Sequence, residues 1–198
     1  MVALSDSQFI SPEDYLELEA NSLEKHEYVD GEIYAMTGTT DYHNTISINL
    51  TTLIKNHLRG SNCRVYMADV KARIEKRNRF YYPDLMVTCD QRDCAARTLR
   101  ERETSLYKSF PKLVIEVLSP STEAKDRGRK FSDYITLDSL EEYVLVNAKE
   151  QKIEIFRPSA QGGWNFQEYY LEGETFPLHS LDLELAFTDV YEDVEFTD

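Results

Sequence analysis

Leu113-Val114-Ile115-Glu116-Val117-Leu118 is an apolar run with one carboxylate inside it, and Ser119-Pro120-Ser121-Thr122 follows directly. A run of that length without period-2 alternation reads as a strand buried on both faces, and so as the centre of a sheet. The hydroxyl residues after it offer several caps for a helix from about Thr122 to Leu137. A second apolar stretch, Tyr81-Tyr82-Pro83-Asp84-Leu85-Met86-Val87, also carries a single carboxylate. Burying an ionised carboxylate is costly unless a cation, hydrogen-bond donors or a metal compensates it. If the two strands are neighbours, the oxygens of Asp84 and Glu116 converge at the strand ends. Hard oxygen ligands without Cys or His in the same stretches suit Mg2+ or Mn2+ better than zinc. An Asp84 that caps the turn after Pro83 and a Glu116 paired with a buried arginine would meet the same demand.

Outward from these two stretches the chain alternates strands and helices. Residues 63–75 and 79–88 are rich in β-branched and aromatic side chains, and Lys76-Arg77-Asn78 between them reads as a hairpin turn. Asp30-Gly31 is the turn of a shorter hairpin within Glu27–Met36. Ser11-Pro12-Glu13-Asp14 starts a helix, with Ser11 as cap, proline in the first position and acid at the positive end of the dipole. Ile46, Leu50, Leu53, Ile54 and Leu58 recur at helical spacing between His43 and Gly60, which predicts a long amphipathic helix. Glu142–Asn147 and Lys152–Arg157 form a further hairpin, a strand near 165–170 follows, and an acidic tail ends the chain. The order predicts a mixed α/β fold around one central sheet, as a single domain over residues 1–198.

Composition narrows the function. No stretch approaches the roughly 20 apolar residues of a membrane helix, and the first residues lack a signal peptide's pattern, so a soluble, cytoplasmic protein is expected. Cys63, Cys89 and Cys94 form no CxxC pair, and reduced thiols with packing roles are expected. The net charge of −14 opposes non-specific nucleic-acid binding. Its distribution does not: Arg64 to Lys130 holds 16 basic and 10 acidic residues, the remainder 6 basic and 26 acidic. A net +6 segment beside a net −20 remainder, with basic loops at 76–79 and 92–102, suits one anion-attracting face on a soluble protein. Seven glycines leave no G-x-G-x-x-G and no phosphate loop, and no G-x-S-x-G elbow is present, which argues against nucleotide-cofactor chemistry and a serine hydrolase. A carboxylate-pair glycosidase is disfavoured by the single Trp164.

In the helix after Glu116, Glu123, Arg127, Lys130 and Tyr134 lie at steps of 4, 3 and 4, on one predicted face. A cation beside two carboxylates suits phosphoryl chemistry, where charge builds on non-bridging oxygens and a water must lose a proton. Asp30-Gly31-Glu32, Pro83-Asp84, the run from Glu116 to Thr122, then Asp126, Lys130 and Tyr134 resemble the Uma family of restriction-endonuclease-type proteins, within the PD-(D/E)XK nuclease superfamily. The resemblance spans roughly residues 8 to 190. It implies a restriction-endonuclease-like core, a Mg2+- or Mn2+-dependent endodeoxyribonuclease, and metal ligands Asp84, Glu116, Glu27 and the Val117 carbonyl. The superfamily lysine two residues after the glutamate is Leu118 here, and the family resemblance assigns its part to Lys130, with Tyr134 positioning it or the phosphate. DNA is the implied substrate, with Lys71, Arg73, Arg79, Arg127 and His43 as candidate contacts. Asp69 supports Lys71 or Arg73, and a homodimer suits cutting both strands. The rival reading is the same fold without turnover, a nucleic-acid-binding or protein-interaction module.

Overall fold

The computed structural model describes residues 9–36, 38–95, 105–171 and 174–196. In chain order its elements are α1 (Pro12–Asn21), β1 (His26–Val29), β2 (Glu32–Ala35), α2 (Asp41–His57), β3 (Arg64–Met67), β4 (Lys71–Ile74), β5 (Arg79–Tyr81), β6 (Leu85–Thr88), α3 (Gln91–Cys94), β7 (Tyr107–Lys108) and β8 (Leu113–Leu118). A helical run, α4, follows in three continuous pieces: Glu123–Lys125, a π-turn over Asp126–Lys130, and Phe131–Tyr134. Then come β9 (Glu142–Asn147), β10 (Lys152–Pro158), β11 (Trp164–Tyr170), β12 (Thr175–Leu178), β13 (Leu183–Ala186) and α5 (Phe187–Val190).

β8 is buried at every position and lies inside a six-stranded sheet of order β11-β10-β9-β8-β6-β3, parallel to β9 and antiparallel to β6. Its alternate residues serve two cores. Leu113, Ile115 and Val117 pack with Ile46, Leu50 and Ile54 of α2 and with Phe176, Leu178, Leu185 and Phe187. Val114 and Leu118 pack on the other face with Tyr134, Tyr143, Ala72 and Tyr81. Glu116 shares the parity of Val114 and Leu118, so it faces the α4 side of the sheet.

A second sheet, of order β2-β1-β5-β4-β7, covers that side. The long hairpin expected over 63–88 is split between the two sheets: β3 pairs with β6 in one, β4 with β5 in the other. The strands bend at Ala68–Val70 and at Tyr82–Asp84, where the Ala68 N–H donates to the Asp84 carbonyl at 3.2 Å. The Asp30-Gly31 turn forms as expected, with φ of 52° and 97°, both in the left-handed region a tight hairpin of this hand requires.

Two further expectations fail. The segment after β11 is no mere acidic tail: β12 and β13 pair antiparallel, and Phe176, Leu178 and Phe187 are buried. Cys63 and Cys89 are joined by a disulfide that ties the start of β3 to the end of β6, and Cys94 alone is a free, buried thiol. Local sequence carries no trace of that pairing, because the two cysteines become neighbours only through the β3–β6 register. Among the described residues no helix is long and apolar enough to cross a membrane.

Candidate active site

β6 and β8 pair with Leu85 opposite Ile115 and Met86 opposite Val114. One further step of that register sets Asp84 opposite Glu116, and opposed residues of an antiparallel pair share a face. The bend at Pro83 ends the ladder there. The Asp84 N–H approaches Glu116 Oε2 at 3.4 Å, and the Val117 N–H donates to Asp84 Oδ2 at 2.7 Å. His43, in the first turn of α2 behind its cap Thr40, reaches the same Oδ2 through Nε2 at 3.0 Å. A carboxylate partner requires Nε2 to carry the hydrogen. Both contacts fall on Oδ2, and Oδ1 receives no hydrogen bond from the described residues.

Lys130 approaches from α4. Its ammonium contacts Glu116 at 2.9 Å, Asp126 at 3.2 Å and Glu27 at 3.4 Å, and it is 5% exposed. Glu27 comes from β1 of the other sheet, is 2% exposed, and also accepts from the Tyr82 N–H at 3.4 Å. Lys125 forms a second ion pair with Glu27. The cation beside Glu116 is thus Lys130, as the helix spacing suggested, and not the buried arginine of the alternative reading. Burial pushes the Glu116 carboxyl well above its ordinary range; Lys130 opposes that shift, while Asp126 and Asp84 add to it. For Lys130 burial works against the charge, but Glu116 and Asp126 hold the ammonium well above its usual range. Burial lowers the Lys125 ammonium to about 7, with Lys130 and Arg129 adding to it, while Asp126 works in the opposite direction.

These groups line a cavity of about 750 Å³ between the two sheets and the start of α2, walled by Ser119, Pro120, Ser121 and Thr122 on one side and Thr39, Thr40 and Asn44 on another. Glu24, Glu27, Asp84, Glu116 and Asp126 face Lys25, Lys125 and Lys130, so five carboxylates against three ammonium groups leave a formal −2 when all are ionised. One divalent cation would neutralise it. Among the described residues no three His, Cys, Asp or Glu side chains close around a common point. Mg2+ needs no such cage, since it binds through one or two carboxylates and keeps several waters. The adjacent oxygens of Asp84 and Glu116 fit that habit.

The other residues singled out in the sequence divide. Tyr134 lies in the core beside Tyr81 and Tyr143, at ring separations of 5.7 and 5.5 Å; its hydroxyl is buried without a hydrogen-bond partner among the described residues, and burial keeps it neutral. Lys71 is buried 5.1 Å over the Tyr82 ring, and burial lowers its ammonium. Arg73 donates to the Tyr107 hydroxyl at 3.0 Å, and Arg79 lies 3.4 Å from Asp133. Arg127 pairs with Glu123 and Glu154, away from Lys130. Asp69 pairs with Lys25, not with Lys71 or Arg73. Of the basic segment 92–102, only residues 92–95 lie within the described residues. Lys125, Asp126 and Tyr82 join the site without having been assigned to it; only Asp126 carried a signal, four residues before Lys130 on the same helix.

The sequence model of the Uma2 family, described as "Putative restriction endonuclease", matches residues 12–188. An uncharacterized protein of Synechocystis sp. is 39% identical over 187 residues, 94% of each chain. A second uncharacterized protein of the same organism is 25% identical over 190 residues, 96% of this chain and all of that one. Among solved structures, a "putative nuclease belonging to DUF820" from Anabaena variabilis superposes with a TM-score of 0.76 at 17% identity, covering 94% of this chain and 99% of that one. At that identity the likeness concerns the fold, which is the mixed α/β, restriction-endonuclease-like architecture.

Proposed function

Since the chain belongs to the Uma2 family, we propose that it is a divalent-metal-dependent nuclease that hydrolyses DNA phosphodiester bonds in the cavity between its two sheets. The observation that carries this reading is the opposition of Asp84 and Glu116 with the Lys130 ammonium 2.9 Å from Glu116, at the wall of a cavity large enough to admit a nucleotide. Asp84 and Glu116 would hold one Mg2+ or Mn2+, with Glu27 and the Val117 carbonyl within the same neighbourhood. The bound ion would supply Lewis acidity and lower the pKa of a water at neutral pH.

The protein's own groups do the rest. The Val117 N–H and His43 both bind Asp84 Oδ2, which fixes the carboxylate's rotamer and leaves Oδ1 for a ligand. Lys130 is held charged by Glu116 and Asp126, so from its fixed place it orders the carboxylates and offsets charge growing on the phosphoryl oxygens. Tyr134 touches none of the reacting positions, so its part is to pack the helix that carries Lys130. Arg73, Arg79 and Arg127 are committed to internal partners, and the DNA track runs instead along the lysine- and hydroxyl-lined mouth of the cavity.

The test is incubation of purified protein with single- and double-stranded DNA and Mg2+ or Mn2+, beside Asp84→Ala and Lys130→Ala. Cleavage is expected to fall by about a hundredfold or more in each variant. Cleavage unchanged in both would sink the assignment. The reading without turnover draws on one observation, that two lysines already contact Glu27. Calorimetric titration with Mn2+ separates the two, because a site that works binds the ion and loses it in Asp84→Ala.

A further inference from the structure

Lysines five residues apart on a regular α-helix stand about 140° apart around its axis and cannot serve one point. Lys125 and Lys130 nevertheless both reach Glu27. The turn that ends at Lys130 is wound as a π-turn over Asp126–Lys130, whose i→i+5 hydrogen-bond pattern draws residues five apart toward one side of the axis. Such turns are rare single insertions in helices, often found at functional sites. Here the insertion brings a second ammonium to the cavity.

The two lysines are not equivalent. Lys130 hydrogen-bonds Glu116 and forms ion pairs with Asp126 and Glu27, so three buried carboxylates surround its ammonium. Its side chain is 6% exposed and turned toward those carboxylates. Lys125 lines the cavity wall beside Ser121 and Thr122, with its side chain 17% exposed against 6% for Lys130, and its ammonium stands 5.4 Å over the Tyr81 ring.

The geometry points to Lys125 as a catalytic residue that exchanges its contact with Glu27 for a non-bridging oxygen of the bound phosphodiester. Lys130 remains fixed among its carboxylates throughout. The assignment rests on the nuclease reading above. It gives the π-turn a purpose: one lysine to order the carboxylates, one to meet the phosphate.

The test compares Lys125→Met, Lys125→Arg and Arg129→Met, the last removing the same charge from an exposed position of the same helix outside the cavity. With the wild type cutting DNA, Lys125→Met is expected to lower kcat about a hundredfold with KM within about threefold, as for loss of an interaction made in the transition state. Lys125→Arg should recover most of that rate, and Arg129→Met should cut as the wild type does. If Lys125→Met fails to fold, as judged by its melting temperature, Lys125→Gln takes its place. Wild-type rates in Lys125→Met, or an equal loss in Arg129→Met, would overturn the role of Lys125 and leave the nuclease reading intact. If the wild type cuts nothing, that reading fails, and oligonucleotide binding across a salt series decides about Lys125. Lys125→Met should then reduce the slope of log K against log salt by about 0.7 for a single strand; an unchanged slope, or no binding by the wild type, overturns the contact.

Discussion

At the scale of single residues, the site is governed by the cost of Glu116. Its carboxyl is 2% exposed and is pushed well above its ordinary value of 4.5, first by burial and then by Asp126 and Asp84 against the pull of Lys130. The folded protein therefore binds a proton at Glu116 more tightly than the unfolded chain. The stability tied to that proton is fully present below pH 4.5 and is lost as pH rises toward the folded value. The slope reaches at most about 1.4 kcal/mol per pH unit. In metal-free buffer Glu116→Gln should lack this decline, so its advantage over the wild type should widen as pH rises from about 5 to about 8. A divalent ion acts oppositely, since it binds the ionised carboxylate and is favoured by the same rise in pH. Thermal melts with Mn2+ against chelator should show a larger stabilisation at the upper pH, and little in Glu116→Gln. An equal Mn2+ shift at both pH values, or one that persists in the variant, would remove Glu116 from the ligand set. Asp84 and Glu116 were legible because a carboxylate inside an apolar strand announces its own need for a partner, whereas Lys130 rested on helix spacing with the family resemblance and Glu27 on the resemblance alone. The partners were less so: the Val117 N–H and Lys125 become neighbours of Asp84 and Glu27 only through register and winding.

At the scale of elements, α4 determines which cations face the carboxylates. Regular α spacing placed Arg127 on a face with Lys130 and Tyr134, but the π-turn separates them: Lys130 turns to Glu116, Arg127 to Glu123 and Glu154, and Tyr134 enters the core. Residue spacing cannot reveal such an insertion, since the sequence carries the same composition whether four or five residues close the turn. Gly128 sits within the π-turn, yet a Cβ built on it meets no atom within 4 Å, and its φ lies outside the left-handed region. The glycine is therefore not required by the backbone, and Gly128→Ala should stabilise the protein by about 0.5–1 kcal/mol through a less flexible unfolded chain, with cleavage unaltered. Urea melts measure this directly, and a loss of stability would mean that the turn depends on glycine's freedom. Gly31 is the contrast, because its φ of 97° and the Phe9 ring against it leave no room for a side chain.

At the scale of the whole molecule, the site exists because one pair of strands changes sheets. Apolar pattern alone predicted two continuous strands over 63–88. The bends at Ala68–Val70 and Tyr82–Asp84 send β3 and β6 into one sheet and β4 and β5 into the other, and Asp84 stands where they part, facing Glu116 from one sheet and near Glu27 from the other. The Cys63–Cys89 disulfide holds this strand pair at its opposite end, next to the Arg64–Thr88 pairing, whereas Asp84 lies beyond the Met67–Leu85 pairing. Closing a loop across 26 residues removes unfolded-state entropy worth about 3–4 kcal/mol on the loop-closure account. A Cys63→Ser/Cys89→Ser double variant should thus unfold at lower denaturant, and the wild type under reducing conditions should approach it. Because β3 and β6 remain paired along four residues and packed on α2, the carboxylates should keep their places, and cleavage at moderate temperature should match the oxidised wild type. Denaturant melts of both proteins, with and without reductant, check the first part, and cleavage assays on the same samples check the second. Equal midpoints would show that the bridge adds nothing to the fold; lost cleavage in a folded variant would show that strain at one end of β6 is felt at Asp84.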